Sequence, residues 1–131
     1  MRLTDGTPRA RLTLALDLVA IAAFVVVGMG EHRSGGTLTV FVRTAGPVLV
    51  AWLACGVVFR TYRPPTPRAL VKTILVAVPA GVLVRTAIVG SPEGWRILVF
   101  LLVALVFVSL FVGTARAIAS VLSRRFERGA A

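Results

Sequence analysis

The chain has 131 residues, of which 57% are hydrophobic and 15% charged, with a formal net charge of +10 and a mean hydropathy of +0.91. Soluble domains carry about 25% charged residues, and a chain this short has too much surface to bury such an apolar excess. That excludes a soluble globular protein and leaves one integral membrane domain spanning residues 1–131. The basic charge lies between long apolar runs, where positive-inside topology puts it, so no folded soluble basic module remains to bind nucleic acid.

The first apolar run extends from about Leu12 to Met29, behind Arg9 and Arg11. It has the outline of a signal peptide, with Ala20-Ile21-Ala22 as the cleavage-like site. Asp17 interrupts its apolar region, however, and the run continues past that site, so it reads as a retained span. The second run extends from about Leu38 to Phe59 and contains Arg43, Pro47 and Trp52. The third covers about Ala69 to Val89 and the fourth about Ile97 to Ile118. Each is close to the ~20 residues that a ~30 Å hydrocarbon layer requires. The runs are continuous rather than alternating, which predicts helices and not a barrel. Gly30 to Gly36, Arg63 to Arg68 and Gly90 to Gly94 are rich in Gly and Pro and read as the connections.

The basic residues set the expected orientation. Arg2, Arg9 and Arg11 precede the first span. Arg60, Arg63, Arg68 and Lys72 flank the middle connection, and Arg116, Arg124, Arg125 and Arg128 close the fourth span. These eleven belong on one side, against four (Arg33, Arg43, Arg85 and Arg96) on the other. The bias predicts both termini in the cytoplasm of a multi-pass plasma-membrane protein. The expected fold is therefore an all-α membrane protein, a four-helix antiparallel bundle, N-in and C-in. Its basic cytoplasmic side faces anionic lipid headgroups.

Asp17 is the costly residue. It lies about 8 Å inside the inner edge of the first span, where an aspartate costs about 2.5–3.5 kcal/mol to insert. Depth along the helices leaves about 14–16 Å between Asp17 and either Arg43 or Arg85, but only about 5 Å between Asp17 and Arg116. The expectation is an Asp17–Arg116 ion pair clamping the first helix to the fourth, with Arg60 as the next candidate partner. A structural clamp, a proton or substrate role, and exposure to interfacial water all remain open for Asp17.

Arg43 and Arg85 lie at similar depth near the outer face. Each could snorkel to the headgroups on its own. Alternatively they share an outward-facing anion or lipid site with His32 or Arg96 at its rim. Small residues recur at four-residue spacing in Ala77 and Gly81, with Arg85 next on the same face, in Ser109, Gly113 and Ala117, and in Ala51 and Cys55. Such faces allow close helix approach within one chain or between copies, so a homo-oligomer fits them equally. Trp95 reads as an interfacial belt residue and Trp52 as packing. Cys55 is the only cysteine, so an intramolecular disulfide is impossible and no metal-type cluster exists. No nucleophile–base pair, phosphate loop or dinucleotide fingerprint is present, and no cofactor is expected.

Leu16-Asp17, Gly30-Glu31-His32, Pro47 with Trp52, Gly81-Val82-Leu83-Val84-Arg85, and Phe107 with Phe111-Val112-Gly113-Thr114-Ala115-Arg116 together resemble the domain-of-unknown-function family 3054. The likeness runs from about Leu14 to Ile118, and Ala115 departs from the aromatic residue expected before the arginine. The resemblance implies a four-helix integral membrane protein and no particular activity. The residues themselves point to a non-enzymatic accessory or structural membrane component. The alternative is a small proton- or anion-coupled transporter, oligomeric because four helices enclose little cavity.

Overall fold

The computed structural model describes residues 3–30, 38–90 and 94–129. These form four helices: α1 (Pro8–Gly30), α2 (Leu38–Val58), α3 (Pro67–Val89) and α4 (Arg96–Gly129). Among the described residues there is no strand, only one isolated bridge between Thr4 and Tyr62. His32, with Glu31 and Arg33, lies outside the described residues, as does Glu93.

Helix starts and ends follow capping chemistry rather than the edges of the apolar runs. α1 begins at Pro8, ahead of Leu12, because Thr7 caps it. The Thr7 hydroxyl accepts from Ala10 N–H at 3.2 Å and donates to Asp5 Oδ1 at 2.7 Å. Pro8 occupies the first helical position, where its fixed φ fits and its missing donor costs nothing. α3 likewise starts at Pro67, behind the Thr66 cap. Pro47 and Pro79 each delete one ladder donor inside α2 and α3, yet both helices continue through them. α4 runs 34 residues, about 51 Å, well past Ile118. Lipid thickness limits the apolar span and not the helix, and residues 119–128 contain no glycine or proline to stop it.

All four helices are long and apolar enough to cross a membrane, over Pro8–Gly28, Leu38–Val58, Pro67–Val89 and Arg96–Leu122. Each packs against two neighbours, in the circular order α1, α2, α3, α4. The α2–α3 seam is the most extensive and the α1–α2 seam the slightest. The shared core includes Ile21, Val48, Trp52, Ala77, Val78, Val108 and Val112. Phe24 of α1 stacks on Phe107 of α4 at 6.3 Å and meets Phe111 edge-on at 6.4 Å. Val19, Val26, Leu75, Leu83, Leu102 and Leu110 are all more than half exposed. In water this girdle would be an aggregation surface, whereas in hydrocarbon it is ordinary.

The small-residue faces divide. Ala77 and Gly81 are buried, and a Cβ added to Gly81 would stand 2.7 Å from the Cα of Val48 on α2. Glycine is what lets the two backbones come this close. Ser109, Gly113 and Ala117 on α4 are exposed, with open space around Gly113.

Candidate functional site

A buried polar layer joins all four helices and the turn after α2. Asp17, ten residues into α1, has no solvent exposure. Arg116 reaches it from α4. Its Nη2 donates to Asp17 Oδ2 at 2.6 Å, and its Nε lies 3.1 Å from Oδ1 and 3.3 Å from Oδ2. Such a forked guanidinium–carboxylate contact is among the stronger charge-assisted arrangements. The Arg116 side chain is 15% exposed.

Tyr62 completes the carboxylate's shell. Its hydroxyl donates to Asp17 Oδ2 at 2.8 Å and accepts from Trp52 Nε1–H, also at 2.8 Å. Both Trp52 and Tyr62 are fully buried. The Arg116 guanidinium carbon stands 5.6 Å from the Tyr62 ring centroid, adding a cation–π contact. Burial, and then the charge of Asp17 beside it, push the Tyr62 phenol well above its ordinary pKa.

The end of α2 explains how a connection residue reaches this depth. Thr61 N–H bonds Gly56 C=O at 3.0 Å and Arg60 N–H bonds Val57 C=O at 3.2 Å. Arg60, between them, has φ 53°. These two bonds form a Schellman ending, with arginine in the left-handed position where glycine is usual. The chain then turns back, and the Tyr62 ring lies on Gly56, where an added Cβ would be 3.1 Å from the ring. Thr4 of the N-terminal segment bridges Tyr62 from outside. Beside it, the buried Thr61 hydroxyl bonds the buried Thr73 hydroxyl on α3. Thr73 in turn donates to Ala69 C=O at 2.9 Å. A donor can be used once, so Thr61 is the donor to Thr73.

Asp17 thus meets one cation and one neutral donor, and Trp52, Tyr62, Thr61 and Thr73 spend their polar atoms on Asp17, on one another or on the backbone. The layer is a satisfied network that fastens helix ends. Among the described residues, no three His, Cys, Asp or Glu side chains gather where a metal could bind.

The remaining sequence candidates lie elsewhere. Arg60 is exposed and does not reach Asp17. Arg43 is exposed on α2. Arg85 turns inward, with its guanidinium carbon 5.2 Å from the Phe100 ring centroid, and lines a small cavity that Arg43 does not line. The two arginines are therefore not brought into one site. His32 falls outside the described residues, and Arg96 is exposed at the start of α4.

Sequence reasoning missed Tyr62, Thr61 and Thr73, and took Trp52 for packing alone. One usable signal was present. A mid-span indole needs an acceptor for its N–H, and the chain's single tyrosine follows ten residues later.

A family model described as "Protein of unknown function (DUF3054)" matches residues 14–119, a stretch that includes Asp17, Trp52, Tyr62, Thr73, Arg85 and Arg116. No curated protein and no solved structure matches the chain.

Proposed function

The chain belongs to the DUF3054 family of proteins of unknown function, and from that premise we propose a membrane component that acts without catalysis, as an accessory or structural subunit. The observation that carries this reading is the filling of Asp17. Its carboxylate is fully buried and held by Arg116 and Tyr62, so carrying a proton or substrate would require this clamp to open in every cycle.

In this reading the helices run alternately up and down through the plasma membrane, with both termini cytoplasmic. Two features support it. The polar layer joins the early part of α1, the turn after α2, the early part of α3 and the later part of α4. Eleven of the fifteen basic residues belong to those same ends and their flanks. The partners are bilayer lipids, with anionic headgroups against the basic side. A second copy packs against the Ser109–Gly113–Ala117 face of α4, which is left uncovered in the single chain. A coupled transporter is the second reading, favoured by the inward-turned Arg85 and its cavity.

Reconstitution in liposomes separates the two. Proton flux is recorded with and without candidate anions and cationic drugs, for wild type and Asp17→Asn at matched folded amounts. The structural reading expects no coupled flux and a less stable Asp17→Asn. Flux in the wild type that disappears in a fully folded Asp17→Asn would overturn it.

A further inference from the structure

Far from the polar layer, the interior holds a second polar group in a different condition. Ala77, Gly81 and Arg85 follow one face of α3, and the first two are buried. Gly81 abuts Val48 of α2. One turn further along α3 comes Arg85, and one turn back along α2 comes Thr44. Both line a cavity of about 30 Å³ that is also lined by Phe24 and Val25 of α1 and by Phe100 and Ala104 of α4. All four helices contribute to its wall.

The Arg85 Nε–H is buried and has no hydrogen-bond partner among the described residues. Nor does the Thr44 hydroxyl make a hydrogen bond to any described residue. No acidic residue lines the cavity, and the salt bridge of Arg116 uses Asp17 in the other polar layer. The Phe100 ring offers the guanidinium only partial compensation. Arg85 is half-buried, but a buried donor left without a partner is costly, and an anion at that Nε–H removes the cost while facing the guanidinium charge. The cavity limits what that ion can be. Its volume exceeds the ~10–15 Å³ that a single water needs, which leaves room for one small ion.

We propose that this cavity is a binding site for one small monovalent inorganic anion of the chloride class, held by Arg85 Nε–H with Thr44 Oγ1–H as the second donor. The site stands whether the protein transports anything or not, since a resident ion that neutralises Arg85 is enough to account for it.

The test is a side-chain NMR titration of the full chain, labelled with ¹⁵N-arginine, in nanodiscs of zwitterionic lipid. Chloride replaces gluconate at constant ionic strength. Arg85→Gln assigns the Arg85 Nε–H resonance, with Arg85→Lys as the alternative if the first variant does not fold. The expected result is a saturable shift of that resonance with chloride or bromide and none with phosphate. Thr44→Val should raise the half-saturating chloride concentration about fivefold through loss of one donor. Absence of a saturable chloride response in the wild type would overturn the proposal. So would an equal response to phosphate or to anionic lipid, which would make the site a headgroup contact. A shift on Glu31→Gln or Glu93→Gln without any chloride response would give the place to a loop carboxylate, and would overturn it equally.

Discussion

Tyr62 hydrogen-bonds Asp17 across 45 residues of sequence, donating to its carboxylate at 2.8 Å while accepting from the Trp52 indole. One phenol thereby links α1, α2 and the turn between α2 and α3. It satisfies the donor of a fully buried indole, and it supplies the carboxylate with a donor that Arg116 alone does not provide. Tyr62→Phe keeps the ring on Gly56 but strands Trp52 Nε1–H. The expected loss is about 1–3 kcal/mol, the usual cost of an orphaned buried donor, read as a lower midpoint in thermal or denaturant unfolding.

The same residue gives the fold an alkaline limit. The folded-state pKa of Tyr62 is raised, first by burial and then by Asp17. A raised acid contributes stability in full below its unfolded value near 10, and loses it as pH climbs from there toward the folded value. Wild-type stability should therefore fall more steeply above about pH 10 than that of Tyr62→Phe. Tyr62 is the only tyrosine, so tyrosinate absorbance reports it directly. At about pH 11 the folded protein should show almost none, and unfolding should release it.

Asp17 and Arg116 should behave as a unit. Removing either partner leaves the other charged group buried or half-buried without compensation, so Asp17→Ala and Arg116→Ala are each expected to cost about 3–5 kcal/mol. Arg116→Lys keeps the charge but not the Nε–Nη2 fork, and should fall between wild type and alanine. The double variant Asp17→Leu with Arg116→Met should recover much of the loss, because well-packed apolar pairs replace buried ion pairs at little cost. Chemical denaturation of wild type and the four variants in one detergent forms the check, and fully additive losses would contradict it.

How far this layer was legible follows from what sequence carries. The position of a residue along an apolar run gives its depth, and depth alone nominated Arg116 for Asp17. Tyr62 was hidden for a different reason. It lies beyond the end of α2 and returns to the core through a left-handed residue, and that residue is Arg60 rather than the glycine that would have announced a Schellman turn. Thr61 and Thr73 look like ordinary threonines until the turn sets one against the other. The helix bounds differ for a related reason. Apolar runs mark where lipid begins, whereas Thr7, Thr66 and the breaker-free tail of α4 decide where helix begins and ends.

The threonine pair yields an asymmetric prediction. Thr73 donates to Ala69 C=O, so Thr61 must donate to Thr73. Thr73→Val deprives the buried Thr61 hydroxyl of its acceptor and should cost about 1–3 kcal/mol. Thr61→Val leaves Thr73 still bonded to Ala69 and should cost less than half as much. Equal losses in thermal unfolding would mean that the donor order is reversed.

Two glycines distinguish packing that the chain uses internally from packing it leaves unused. A Cβ at Gly81 would stand 2.7 Å from the Val48 Cα, which is backbone and unable to swing aside. Gly81→Ala must therefore push α2 and α3 apart along their most extensive seam. Overpacking of this kind costs about 1–3 kcal/mol, and the displacement would also open the Arg85 cavity one turn away. At Gly113 an added Cβ meets nothing within 4 Å, so Gly113→Ala should leave the folded single chain unchanged, or stabilise α4 by up to about 1 kcal/mol through helix propensity. If that exposed face seats a second copy, Gly113→Ala should instead weaken association while thermal stability of the monomer holds. Analytical ultracentrifugation beside thermal unfolding reads the two effects separately.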